Sequence, residues 1–327
     1  MTDHVSEGTP PGLPAPAPHG MSALPEGTYD GAVVLVTGGG TGLGKAIAAE
    51  FARLGADLVI ASRKEERLKA ARDELAGLGG RVAAVPCDIR DPDRVAEVFD
   101  AARDAYGLPD VLVNNAAANF PVPAEDMSPN AWRSVVDITL TGTFFMTREF
   151  ARRHLTAGTP GSVINIGASY AWTGGPGFAH SAAAKAGVQS LVESLAVEWG
   201  PYGIQVNGLV PGLMPHEDMT ADIHGNLDRA ATAATTTGTA TATAAATAAE
   251  GGESDFRRGE LGSRQPALRV GAPRELGWAA TFLASPYARF ITGHTLVVDG
   301  ANWQRRGLVS PEVVTVREQM GRGPFGR

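Results

Sequence analysis

The chain has 327 residues, which fits one large α/β domain or two small ones. Hydrophobic residues make up 43%, enough for a sizeable core, while the formal net charge of −7 argues against a general nucleic-acid binder, which needs clustered Lys and Arg for phosphate contacts. One cysteine, Cys87, excludes an intrachain disulfide framework and a cysteine-rich zinc site, and it fits a reducing compartment.

Residues 1 to about 30, including TPPGLPAPAPHG, are rich in Pro and Gly, lack apolar periodicity and read as a disordered arm. Acidic residues and prolines stand where a secretory signal needs a basic start and an apolar run. No apolar run reaches the roughly 18 residues of a membrane span, so a soluble, cytoplasmic protein is expected. From Ala32 the pattern changes. AVVLVT is a continuous apolar run, as expected of a central parallel strand buried on both faces. GGGTGLG follows, and KAIAAEFARLGA has helical apolar spacing with a glycine stop. DLVIAS, RVAAVPCD, VLVNNA, SVINIG, IQVNGLVPG and TLVVDG read as further strands. Helices are expected from KEERLKAARDELAGLGG and at Arg94–Tyr106, Asn130–His154, Ser181–Trp199 and Pro273–Leu283. Strands alternating with helices specify α/β: a single Rossmann-type, doubly wound parallel sheet of about seven strands, with helices on both faces. The domain runs over 31–303. A low-complexity Ala/Thr insertion at about 229–252 falls where such a fold places its substrate-covering lid, and a tail of 304–327 follows, with a short helix expected within Pro311–Met320.

A glycine-rich turn after a first strand brings backbone N–H groups and a helix N-terminus up to a pyrophosphate. Thr37, Gly38, Gly39, Gly40, Thr41, Gly42, Leu43 and Gly44 (TGGGTGLG) have that setting, in a TGxxxGxG spacing rather than GxGxxG. The second strand ends in ASRK. Arg63 and Lys64 stand where an acid would accept a ribose 2′-hydroxyl and repel a 2′-phosphate, so the cofactor expected is NADP(H). Asp88 and Asn115, at the ends of the third and fourth strands, complete this edge.

The TGxxxGxG turn resembles that of the short-chain dehydrogenase/reductase family, and this resemblance implies a proton-donating tyrosine four residues before a cofactor-holding lysine. Here that pair is Ser181 and Lys185, and an aliphatic hydroxyl lacks a phenol's acidity. The TGxxxGxG turn, the lysine and Pro211, Gly212, Leu213, Met214 (PGLM) resemble the short-chain dehydrogenase/reductase family. The departures have a pattern of their own. Tyr170-Ala-Trp-Thr-Gly, Asn114–Phe120 (NNAAANF), Met127–Trp132 (MSPNAW) and Ser181 before Lys185 resemble the 2,4-dienoyl-CoA reductase branch. Ala168 and Thr139 occupy the positions where the wider family has Ser and Asn.

The resemblance implies hydride delivery to a conjugated dienoyl thioester, with Tyr170 and Asn119 polarising the thioester carbonyl. Lys185 would hold the nicotinamide ribose, Ser181 would support it, and Pro211–Met214 would close over the nicotinamide. Arg90, Phe120 and Ser128 would contact the acyl-CoA. A homo-oligomer, tetramer or dimer, is implied as well. Bland readings stand beside these: Tyr170 as packed aromatic, Asn119 as turn residue, Ser128 as helix cap and Arg90 as surface ion-pair partner. PHEDMTADIHGN, after PGLM, has three acids and no Arg where the branch has a basic substrate contact. Two other functions stay open: a carbonyl reductase using Tyr170 as acid, and an inactive NADP-binding structural or regulatory subunit.

Overall fold

A computed structural model describes residues 12–216, 262, 265–304 and 315–322. The expected Ala/Thr insertion lies outside these residues. Seven parallel strands form one sheet in the order β3-β2-β1-β4-β5-β6-β7. They are β1 (Val33–Thr37), β2 (Asp57–Ser62), β3 (Val82–Pro86), β4 (Val111–Asn114), β5 (Gly161–Ile166), β6 (Ile204–Pro211) and β7 (Thr295–Val298). The helices among the described residues are α1 (Gly42–Arg53), α2 (Glu65–Ala76), α3 (Pro92–Ala105), α4 (Pro129–Val136), α5 (Gly142–Ala157), α6 (Tyr170–Thr173), α7 (Ala179–Trp199), α8 (Pro273–Ala284) and α9 (Val316–Gln319).

Alternation along β1 explains the two layers. Val34 and Val36 face Ile47, Phe51, Leu68 and Leu276 on one side, whereas Val33 and Leu35 face Val98, Phe99, Met146 and Phe150 on the other. Every residue of β1 is buried. Each such Val, Leu, Ile or Phe side chain stabilises the fold by about 1.5–3 kcal/mol. The order reverses beside β1, where the chain crosses from β3 to β4. That places a crevice at the strands' C-terminal ends, over Thr37, Asn114 and the start of α1.

Two features depart from the sequence reading. The helix expected over Asn130–His154 contains a π-helical turn, Asp137–Thr141, between α4 and α5. The arm read as disordered is held in place from Gly12 onward. Leu13 N donates to Ala267 O (2.9 Å), Arg269 Nε to Pro14 O (2.8 Å), and Trp278 Nε1 to Met21 O (3.0 Å). Tyr29 then enters the core, edge-on to Phe51, and its hydroxyl donates to Thr281 O at 2.6 Å. These partners lie some 250 residues away in sequence, so local composition carries no trace of them.

Candidate active site

The β1–α1 turn is built on close backbone approach. Gly38 has φ +65°, and a Cβ there would lie 2.7 Å from Asn115 Nδ2. A Cβ on Gly44 would run into the Gly38 carbonyl and the same Asn115 side chain. Asn115 Nδ2 donates to Thr37 O (3.1 Å), and the Thr37 hydroxyl accepts from Asn115 N (3.0 Å) and Ala116 N (3.1 Å). Thr37 and Asn115 therefore lock the end of β1 to the end of β4, leaving the amides that open α1 for a ligand. Thr41, the residue before α1, makes no side-chain cap. An uncapped helix start behind a glycine turn fits a dinucleotide pyrophosphate.

At the end of β2, Arg63 is exposed. Its charge reaches Asp88, and the Asp88 carboxyl is held below the usual carboxylate range first by its bonds from Arg90 and further by Arg63. Arg90 grips Asp88 with both arms, Nε at 2.9 Å and Nη2 at 2.5 Å. Its fork is thus filled by a surface ion pair, the bland reading of that residue. Ser128 likewise caps α4, its hydroxyl accepting from Ala131 N at 3.1 Å. At the end of β6, Gly212 N donates to Val298 O (2.9 Å), and Met214 is buried in the core against Gly271.

The reacting residues come from three elements. Tyr170 opens α6 just beyond β5, Ser181 lies in the first turn of α7, and Asn119 lies on the loop after β4. The structure brings them together: Tyr170 Oη lies 3.0 Å from Ser181 Oγ, and Asn119 Nδ2 reaches it at 3.5 Å. Asn119 Oδ1 is buried without a hydrogen-bond partner among the described residues. Burial pushes the Tyr170 phenol above its ordinary range, and the Ser181 bond opposes this more weakly. Tyr170 packs parallel to Phe178 with centroids 6.4 Å apart. Lys185 lies one turn after Ser181 on α7. It is 7% exposed, its Nζ donates to Ile166 O, and desolvation lowers it from 10.5 to about 8. Thr139 sits in the π turn, fully buried and bonded to the backbone of Ala118, so it holds the loop that carries Asn119.

Phe120 is 36% exposed and packs edge-on against the buried His180 ring, 4.7 Å between centroids. His180 Nδ1 accepts from Ser181 N at 2.8 Å, and burial lowers its pKa, so it is a neutral support for the α7 start rather than a base. Trp172 meets Trp303 at 5.1 Å, and Val122 N bonds Gly177 O at 2.8 Å. Aromatic side chains thus flank α6 and the start of α7. The expected tail helix appears as α9, where Arg317 pairs with Asp126 (3.1 Å). One residue the sequence reading did not single out, His216, lies against Gly42; only its place two residues after Met214 could have marked it.

A family model described as short chain dehydrogenase matches residues 32–227, and one described as Enoyl-(Acyl carrier protein) reductase matches residues 237–301. A relative in Bacillus subtilis, named "Probable 2,4-dienoyl-CoA reductase" and (2E)-enoyl-CoA-producing, is 36% identical over 271 residues, covering 83% of this chain and 96% of its own. One in Caenorhabditis elegans, "Probable 2,4-dienoyl-CoA reductase 3" and (3E)-enoyl-CoA-producing, is 38% identical over 279 residues, covering 85% and 82%. Among solved structures, a candidate NAD(P)-dependent gluconate 5-dehydrogenase from Beutenbergia cavernae, with NADP bound at low occupancy, superposes with a TM-score of 0.70 at 32% identity. It covers 85% of this chain and 99% of its own.

Proposed function

The chain belongs to the short-chain dehydrogenase family, and from that premise we propose that it is an NADPH-dependent reductase of conjugated enoyl thioesters, most simply 2,4-dienoyl-CoA. The observation that carries this reading is the Tyr170–Ser181–Asn119 cluster. The Asn119 amide, and the Ser181 hydroxyl when it is the donor, point at the Tyr170 oxygen, which leaves the phenolic proton free to donate outward. Because burial raises the phenol's pKa, Tyr170 remains a neutral donor. That suits stabilising negative charge on a thioester oxygen better than giving up a proton to an alkoxide. The bound cofactor supplies hydride to the dienoyl chain. Tyr170 and Asn119 then hold the dienolate oxygen, while carbon protonation falls to solvent. Phe120, Trp172 and Trp303 offer the apolar wall an acyl chain needs. Arg90 can join CoA recognition only by leaving Asp88.

A carbonyl reductase using Tyr170 as acid needs a phenol pKa lowered towards neutrality, and burial moves it the other way. An inactive subunit has no need of a converging donor set. The deciding measurement is NADPH oxidation with a trans-2,trans-4-dienoyl-CoA beside ketones and 3-ketoacyl thioesters. Turnover of ketones alone sinks the proposal, and product analysis distinguishes a (2E)- from a (3E)-enoyl product.

Preference for NADPH rests on the exposed Arg63 guanidinium at the end of β2, with no carboxylate in its place. Arg63→Ala is expected to weaken NADPH binding about tenfold or more, the size of one charge-assisted hydrogen bond. NADH binding should change little, and titrating both cofactors by fluorescence checks this. For assembly we propose a homo-oligomer. It is supported by Phe144 and Leu155 on α5 and Val197 on α7, which are exposed apolar residues in this chain. Light scattering on the purified protein, returning a monomer mass, would remove that reading.

No helix among the described residues is long and apolar enough to cross a membrane.

A further inference from the structure

We infer that α9 is a brace that holds two active-site loops against each other, with Arg317 as a positioning residue that keeps Asn119 on Tyr170. The inference rests on the donor-set reading above and adds to it the groups that hold the set closed.

Four residues are too few for a helix to persist in water by itself, so α9 relies on its end caps and its neighbours. Thr315 and Glu318 form a capping box, with Glu318 N bonded to Thr315 Oγ1 (3.3 Å) and Thr315 N to Glu318 Oε2 (2.9 Å). At the other end Gly321 has φ +67°, Gly321 N donates to Glu318 O (2.9 Å) and Arg322 N to Arg317 O (2.7 Å). This left-handed stop folds the chain back on itself. It brings Arg317 and Arg322 onto one carboxylate, Asp126, which accepts from Arg317 Nη1 at 3.1 Å and from Arg322 Nη1. Glu125 adds a contact to Arg317 at 3.4 Å. Both acids lie on the loop that runs from β4 past Asn119 to α4. α9 also reaches the loop between α6 and α7, where a Cβ on Gly177 would lie 3.4 Å from Val316 Cγ1. That second loop packs on Tyr170. A Cβ on Gly175 would be 3.2 Å from Tyr170 Cβ, and Phe178, at the loop's end, stacks on the phenol ring.

The second loop has little stiffness of its own, since it contains Gly174, Gly175 and Gly177, two of them at positive φ. One backbone bond, Val122 N to Gly177 O at 2.8 Å, joins it to the first. Asn119 meets Tyr170 at 3.5 Å, the outer limit of a hydrogen bond, so a small parting of the loops breaks that contact. α9 resists the parting because it is fastened to both loops, by an apolar contact at Gly177 and by charges at Asp126. Arginines converging on neighbouring acids form a network, which fixes geometry better than an isolated surface pair.

The test compares full-length wild type, Arg317→Glu, Asp126→Arg and the exchanged pair carrying both substitutions. Two readouts are taken: steady-state kinetics with NADPH and a trans-2,trans-4-dienoyl-CoA, and amide hydrogen exchange. Arg317→Glu adds a carboxylate beside Glu125 and Asp126. It is expected to lower kcat about tenfold by displacing a preorganised donor, with NADPH affinity kept within about threefold. Exchange of the Val122 amide should accelerate in each single variant, and both readouts should return towards wild type in the exchanged pair. An unchanged kcat in Arg317→Glu overturns the inference, because the loops then keep their geometry without α9. So does an exchanged pair that recovers nothing, or exchange that accelerates equally across the sheet, which general destabilisation would explain. A wild type that turns over no dienoyl-CoA overturns the substrate reading instead. Val122 exchange then decides the brace, and unchanged protection in Arg317→Glu removes it.

Discussion

Replacing Tyr170 by phenylalanine is expected to lower kcat with a dienoyl-CoA by about 10²–10³, the usual cost of removing one preorganised donor to a developing oxyanion. The substitution isolates the hydroxyl, because the ring keeps its parallel packing on Phe178. Cofactor affinity should stay within about threefold of wild type, since among the described residues the phenolic hydroxyl is bonded to Ser181 and Asn119. Loss of kcat without loss of NADPH binding is therefore the signature of a donor aimed at substrate. A nearly unchanged kcat would make Tyr170 a bystander. The pH profile adds a second readout. With the phenol raised by burial, no alkaline limb below about pH 10 should belong to Tyr170. An alkaline limb near neutrality that disappears in Tyr170→Phe would restore the carbonyl-reductase reading.

Lys185→Met is expected to reduce kcat/KM by a comparable 10²–10³, and also to change how stability depends on pH. In the folded chain Lys185 titrates near 8, because its ammonium is desolvated, with the Ile166 carbonyl as its bonded partner. In the unfolded chain it titrates at about 10.4. Between those values the unfolded state binds more protons, so stability rises with pH. The penalty of burying the charge is fully present below pH 8 and gone above about 10.5. Taken over that window it is on the order of 3 kcal/mol. Cys87, pushed up by burial to about 12, opposes this in both proteins. The quantity to measure is accordingly the difference between wild type and Lys185→Met in urea-unfolding free energy from pH 7 to 10. Wild type should gain on the variant as pH rises. Parallel curves would mean that Lys185 keeps an ordinary pKa, through solvent or an unseen counter-charge.

All seven strands were legible because a parallel strand buried on both faces leaves a continuous apolar run, as in AVVLVT, and the longer helices between them an apolar spacing; the one-turn α6 leaves none and was not expected. The glycine turn was legible for the same local reason: a positive φ at Gly38 and the contact of Gly44 with the Gly38 carbonyl tolerate no other residue. Lys185 one helical turn after Ser181 needs only the 3.6-residue period. Helix starts were misjudged by two residues where a cap lies outside the apolar pattern, as at Asp91, whose side chain accepts from Asp93 N and Arg94 N.

The residues whose roles stayed open are those for which the sequence offered more than one partner. Arg90 and Ser128 read equally well as substrate contacts or as an ion pair and a cap, and packing gave both the local partner. The arm from Gly12 lacks periodicity, yet it is ordered because Arg269, Trp278 and Thr281 bond its backbone and Tyr29 from across the fold. Asn119, Tyr170 and Ser181 lie on three separate elements and become one donor set only when the crevice forms. The sequence by itself determined the sheet, the phosphate turn and the helical register of Lys185, since each follows from local backbone sterics and apolar period. Only the tertiary structure decided which polar groups meet, including His216 at Gly42, because such contacts depend on elements that close on one another after the chain has packed.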